Sequence, residues 1–223
     1  MAIDITERNF GRLIDLFDGE DALRNKKIRI LHNLSFIDDP TRILRAMRFE
    51  KRYNFGIEPD TLKVLKEAVK LKMLEKVHHH RLRDELILIL KEEHPIKQIR
   101  RTQELAGFDF ISRKLNVSGK TYKLLSSIER QIHWFKRIYS KRRQLASWLI
   151  YFIGLIDSLD KNQVKSISNK FAFCKGEQKV ILTSNKISPY FIRKLSQGKI
   201  KPSGVFSLLE PLSYETILLI KAK

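Results

Sequence analysis

The sequence of 223 residues has one cysteine, Cys174, nine glycines and six prolines. A single thiol can close no internal disulfide and can build no cysteine metal cluster. So few glycines and prolines exclude collagen-like and low-complexity chains. No run of eighteen apolar residues occurs. The longest apolar stretch, from Trp148 through Leu149, Ile150, Tyr151, Phe152, Ile153, Gly154 and Leu155 to Ile156, reads as a buried helix rather than a membrane span. The opening residues also lack a basic-then-apolar leader pattern. The expectation is a cytoplasmic protein with no membrane partner. With 43% hydrophobic and 31% charged residues, the chain can bury a core of its own.

Acidic residues are scarce in one half. Residues 1–110 carry 22 basic and 19 acidic side chains, whereas residues 111–223 carry 22 and 6, so most of the net charge of +19 sits in the second half. Between Ile111 and Ile150 the one acid is Glu129, and between Lys161 and Lys201 it is Glu177. A polycationic half of this kind attracts a phosphate backbone, and its affinity falls with salt because counterions are released. Nucleic acid is the partner this charge suggests, and a lysine-rich solvated surface is the alternative.

Helical periodicity dominates after Pro40. Asp39-Pro40 opens a helix that runs to about Tyr53 and stops at Asn54-Phe55-Gly56. A second starts at Pro59 and a third covers Arg81 to Glu92, with Leu82, Leu86, Ile89 and Leu90 inward. Further helices are expected over Ile96–Ala106, Lys120–Tyr139, Arg143–Leu159, Gly176–Ser184, Pro189–Leu195 and Tyr214–Lys221. The turn-rich basic stretch Ser196–Gly204 reads as a loop. Ahead of Pro40, Leu13–Phe17 and Ile28–Leu31 resemble short strands around the Asp18-Gly19 turn. The fold class is mostly α, a multi-helix neck and body with a short α+β segment at the N-terminus.

Asp39, Arg42 and Arg45 recur at three-residue steps and share one side of the first helix. A carboxylate and guanidinium one turn apart offer an acceptor and donors together, as reading a base edge requires. The same strip equally suits a salt-bridged, solvated face. The run Arg130 to Arg143 interleaves Trp134, Phe135 and Tyr139 with Lys136, Arg137, Lys141, Arg142 and Arg143, a pattern that can grip RNA or can belong to an amphipathic helix. His78, His79 and His80 are consecutive, so their rings diverge, and no carboxylate or cysteine stands at ligand spacing. No metal site is expected there. Cys174 has no histidine nearby in sequence and is expected as a small buried side chain.

The stretch His32 to Phe49, with Asp38-Asp39-Pro40-Thr41-Arg42 at its centre, followed by Tyr53 to Pro59, resembles the neck of the class II tRNA nucleotidyltransferase and bacterial poly(A) polymerase family. The likeness extends to Asp15–Leu23 with Lys27-Ile28-Arg29 upstream, and to Arg81-Leu82-Arg83-Asp84-Glu85-Leu86 downstream, covering about Met1 to Glu92. It implies that Asp39 and Arg42 choose the incoming nucleotide, ATP or CTP, that Arg45 assists, and that Arg83 and Glu85 brace the neck. It also implies RNA, as a tRNA 3′ end or another RNA 3′ end, as a partner. The family's magnesium-holding Asp-x-Asp pair has no counterpart in this sequence. Mg2+ is therefore expected only with a head domain, which would precede Met1 or be a separate chain, and no catalytic residue is assigned here. The implied organisation is a head remnant over 1–37, neck helices over 38–110 and a basic RNA-binding body over 111–223. A non-catalytic helical RNA-binding module is the alternative, and a helical protein-interaction scaffold a third reading.

Overall fold

The computed structural model describes all residues except 140–143, 188, 198 and 199, and the side chain of residue 189. The chain divides into two compact units, one of Met1–Val77 with Glu104–Ala106, the other of His78–Gln103 with Gly107–Lys223.

In the first unit β1 (Ala2–Ile3) pairs antiparallel with β2 (Leu13–Ile14). A short helix α1 (Gly19–Arg24) follows, then β3 (Lys27–Ile28), α2 (Ser35–Asp38), α3 (Thr41–Tyr53), β4 (Gly56–Ile57) and α4 (Pro59–Lys70). A single 3-10 turn over Met73–Lys76 ends it. Strand β3 pairs parallel with β4, Lys27 opposite Gly56 and Ile28 opposite Ile57. Asn54 ends α3 in the left-handed region, at φ 53°, which an asparagine tolerates better than most residues. The expected stop at Asn54 is thus a backbone device that turns the chain back to meet β3.

Phe36, Ile43, Leu44, Met47 and Leu65 are each no more than 1% exposed and form this unit's core. The segment around β1 and β2 is different: Ile3, Ile5, Phe10 and Leu16 are between 65% and 81% exposed. A two-stranded ribbon has too little surface to bury its own apolar face.

The described elements of the second unit are all helices: α5 (His79–Leu90), most of α6 (Pro95–Leu105), α7 (Gly119–Tyr139), α8 (Ser147–Leu155), α9 (Lys161–Lys170), α10 (Lys175–Asn185), α11 (Pro189–Ser196), α12 (Pro202–Leu209) and α13 (Tyr214–Ala222). Leu82, Leu86, Ile89 and Leu90 are buried, as their spacing predicts. Helix α8 is the expected buried helix: every residue from Leu149 to Ile156 is at most 4% exposed or classed as buried. It packs against α5, α7, α10 and α13. Among the described residues no single helix is long and apolar enough to cross a membrane.

Three expectations need correction. The helix read as Arg143–Leu159 is shorter, Ser147–Leu155, and Arg143 lies outside the described residues. The stretch read as a loop gives way at Pro202 to α12, with proline at its first turn where no hydrogen bond is lost. Cys174 is exposed, not buried, because it is the N-cap of α10, where its backbone N–H donates to Glu177 Oε2 at 2.9 Å. Helix α9 was not expected, although Asp160 and Gln163 spell a capping box: the Asp160 carboxylate accepts from the N–H of Asn162 and Gln163, each 2.9 Å.

Gly154 lets α8 approach α7. A Cβ there would stand 2.5 Å from Ile128 Cδ1 and 3.2 Å from Leu125 Cδ2. Crowding of about 1–3 kcal/mol should outweigh the roughly 1 kcal/mol by which alanine favours a helix over glycine. Gly154→Ala is expected to lower stability, and adding Ile128→Val, which removes the clashing methyl, should restore part of it. A urea-unfolding double-mutant cycle measures that coupling; strictly additive losses would contradict the close approach.

Candidate functional site

Asp39 lies between α2 and α3 with an extended backbone, φ −140° and ψ 93°. Its Oδ1 accepts the Thr41 N–H at 3.1 Å and the Thr41 hydroxyl at 2.7 Å, so the carboxylate caps the helix that Pro40 introduces. Arg42 reaches back over α2: its Nη1 donates to Ser35 Oγ at 2.7 Å and to the Ser35 carbonyl at 3.3 Å. Its Nε and Nη2 form no hydrogen bond with any described residue. Asp39 and Arg42 are both half-buried, and Arg45 is exposed one turn on. Asp38, next to the pair, stands 3.6 Å from His32 Nε2. The sequence strip is therefore a fixed ledge in the structure. Thr41 holds the acceptor, Ser35 holds the donor group, and neither side chain is sealed in the core. Such a ledge can present a carboxylate and N–H donors to a planar partner.

The loop preceding α1 is tied to β3. Arg29 Nη2 donates to the carbonyls of Phe17 at 2.6 Å and Asp18 at 3.1 Å. Asp15 accepts the Glu20 N–H at 2.8 Å, and the backbone N–H groups of Glu20 and Gly19 hold its carboxyl below the usual carboxylate range. These contacts give the upstream resemblance a structural role within this unit.

In the second unit, Arg83 braces a turn. Its Nη1 donates to the carbonyls of Phe171 at 3.3 Å and Ala172 at 2.7 Å, and Ala172 sits in the left-handed region at φ 49°. A guanidinium on those carbonyls holds a strained turn between α9 and α10. His79 packs edge-on against Phe171, 5.8 Å between centroids, while the rings of His78 and His80 stack at 5.8 Å. Burial, and then the positive charges of Lys170 and His78, hold the His79 pKa below its ordinary 6.5. Among the described residues no three His, Cys, Asp or Glu side chains gather as a metal site.

Of the expected RNA contacts, Lys136 and Arg137 are exposed on the last turn of α7, and Lys141, Arg142 and Arg143 lie outside the described residues. Phe135, 3% exposed, is core. Trp134 is half-buried, with Lys221 Nζ 3.3 Å from its ring centre. Sequence reasoning missed a second basic surface. At the start of α7, Lys120, Lys123 and Arg130 line an open groove of about 1060 Å³ together with Ser118, Ser127 and Ser158. The acid in its lining, Asp157, is neutralised by Lys223 Nζ at 2.6 Å. Spacings of three and seven residues on a helix were the available signal.

Residues 54–112 match the family model described as the probable RNA- and SrmB-binding site of polymerase A. The A-adding tRNA nucleotidyltransferase of Geobacter sulfurreducens is 33% identical over 228 residues, an alignment that covers 100% of this chain and 26% of that protein. These matches support a class II tRNA nucleotidyltransferase neck and body region for this chain, which spans about a quarter of that relative's length. Solved structures agree. A tRNA nucleotidyltransferase complexed with a primer tRNA and an incoming ATP analogue superposes with a TM-score of 0.87 at 28% identity, covering 99% of this chain and 64% of that one. The Thermotoga maritima CCA-adding enzyme complexed with tRNA-CCA gives 0.83 at 31% identity, covering 99% and 53%. This family likeness runs well beyond Glu92, where the recognisable motifs stop.

Two predictions concern these contacts. Arg83→Met should destabilise the protein by about 1–3 kcal/mol, as expected for charged hydrogen bonds lost from a part-buried side chain, and thermal unfolding reads it. The lowered His79 pKa means that the unfolded chain takes up this proton first. Its contribution is complete above pH 6.5 and is lost as pH falls below that value. His79→Gln should therefore flatten the decline in melting temperature between pH 7.5 and 5.5.

Proposed function

We propose that this chain supplies base selection and RNA grip to an RNA 3′-end nucleotidyltransferase that adds nucleotides from ATP or CTP to a tRNA or other RNA 3′ end. The observation that carries the reading is the half-buried ledge of Asp39 and Arg42, oriented by Thr41 and Ser35. A base edge placed there would donate to the Asp39 carboxylate and accept from the Arg42 guanidinium, while Arg45 on the next turn meets the polyphosphate. The A-adding relative favours ATP as substrate.

Chemistry at the reacting phosphate belongs to a catalytic head that holds Mg2+, on the same chain or on another. The exposed apolar side chains around β1 and β2 are the surface on which such a head would pack. Residues 1–37 then form the junction with it, 38–110 the selecting neck and 111–223 the RNA-binding body. The groove at Lys120, Lys123 and Arg130 and the exposed Lys136 and Arg137 are the described cations best placed to follow a phosphate backbone, with Lys141, Arg142 and Arg143 as further contacts. The reading is of a cytoplasmic protein.

Fusing a family head domain ahead of Met1 and measuring primer extension tests the selection role. Asp39→Ala and Arg42→Ala should each reduce incorporation of the preferred nucleotide by roughly 5- to 150-fold, the equivalent of about 1–3 kcal/mol per base contact, and should narrow the preference between ATP and CTP. Unchanged rate and choice in both variants would defeat the assignment. For RNA grip, the Lys120→Gln, Lys123→Gln double variant should weaken tRNA binding and reduce the slope of log affinity against log salt by about 1–2.

A further inference from the structure

The second unit contains a smaller cleft, of about 370 Å³, remote in sequence from the Asp39 ledge and separate from the Lys120 groove. Its wall includes Ile132 of α7 and Trp148 and Tyr151 of α8, and its rim includes Glu93, His133 and Lys136. Tyr151 is the unusual member. The residue is 4% exposed as a whole, and it helps to line the cleft. Burial and, second, the charge of Glu129 raise the phenol's pKa, so the group remains an O–H donor at any physiological pH. Beside it, Trp148 stacks one side on Phe173, 6.2 Å between centroids and 20° between planes, while also lining the cleft.

We propose that this cleft binds a single nucleotide, its base against Trp148, a polar atom of the base on the Tyr151 hydroxyl and its phosphate on Lys136. Three features select that class of ligand. A half-buried indole offers a flat surface on which any base can stack. A tyrosine hydroxyl both donates and accepts, so it can complete the hydrogen bonding of a base edge without requiring a particular base. The rim places an exposed ammonium, Lys136, and an exposed carboxylate, Glu93, around one opening, matching a ligand that has a phosphate and an exocyclic amine. A volume of about 370 Å³ suits one nucleotide and not a protein helix. The nucleotide's source is either an unstacked residue of bound RNA or a free mononucleotide. Only the first source rests on the RNA reading above; the cleft itself does not.

The sequence has two tryptophans, so Trp134→Phe leaves Trp148 as the sole indole reporter. In that background, Trp148 fluorescence is titrated with AMP, CMP, adenosine and a six-residue adenylate RNA. Saturable changes with mononucleotide and RNA together assign a free-nucleotide site, and a change with RNA alone assigns an unstacked RNA residue; either result supports the cleft. Tyr151→Phe removes only the hydroxyl, so it should leave the melting temperature near that of its parent while weakening binding about 3- to 10-fold. Lys136→Gln should weaken AMP or the RNA and leave any adenosine binding unchanged. A flat Trp148 signal with every ligand, or equal affinities for Tyr151→Phe and its parent, would overturn the proposal. Gel shifts with tRNA, run in parallel, decide the RNA reading separately.

Discussion

Ser147–Leu155 offers water almost no polar side, and the second unit is arranged around that constraint. A helix apolar on all sides must be enclosed, and α5, α7, α10 and α13 each turn an apolar stripe toward α8. Enclosure requires close approach, which Gly154 provides by leaving room for Ile128 and Leu125. Once those stripes are used, the charged residues of the surrounding helices have only the outer surface left. The polycationic character of residues 111–223 is therefore concentrated on the outside of a small helical body. Lys120, Lys123, Arg130, Lys136 and Arg137 all come from α7, whose opposite side carries Leu125, Ile128, Ile132 and Phe135 into the core. Core packing and electrostatic surface are two sides of the same helix.

The first unit solves a different problem. A polar ledge on a helix end needs its side chains held in fixed positions. Asp39 is fixed by Thr41, two residues on, and Arg42 by Ser35, seven residues back, so each partner is itself a buried polar residue on a helix, Thr41 at the start of α3 and Ser35 in the short α2. Precision at the ledge thus depends on the junction of α2 and α3, which the apolar Phe36, Ile43 and Leu44 lock from below. Arg83 performs a comparable service in the second unit, spending its guanidinium on the carbonyls of a left-handed turn.

Much of the helical order was legible because it depends on near neighbours. Pro59 at a helix start, Asn54 at a helix end and the inward spacing of Leu82, Leu86, Ile89 and Leu90 are local patterns, and each is realised. The errors also have local causes. Gly204 and the basic run before Pro202 disguised α12, and the capping box that opens α9 went unread. Cys174 looked like a buried residue by type, but its position ahead of Glu177 makes it an exposed cap.

Residue type, spacing and charge by themselves determined that the chain is mostly helical, that its second half is a polycation, and that Asp39, Arg42 and Arg45 form a polar strip on one helix. Those properties depend on residues within a few positions of one another. The tertiary structure alone decided that Ser35 holds Arg42, that Lys123 and Asp157 line the same groove, and that Lys136, Trp148 and Tyr151 line one cleft. Each of these depends on how separate elements pack, and helical periodicity states which side of an element is apolar without stating which neighbour will cover it.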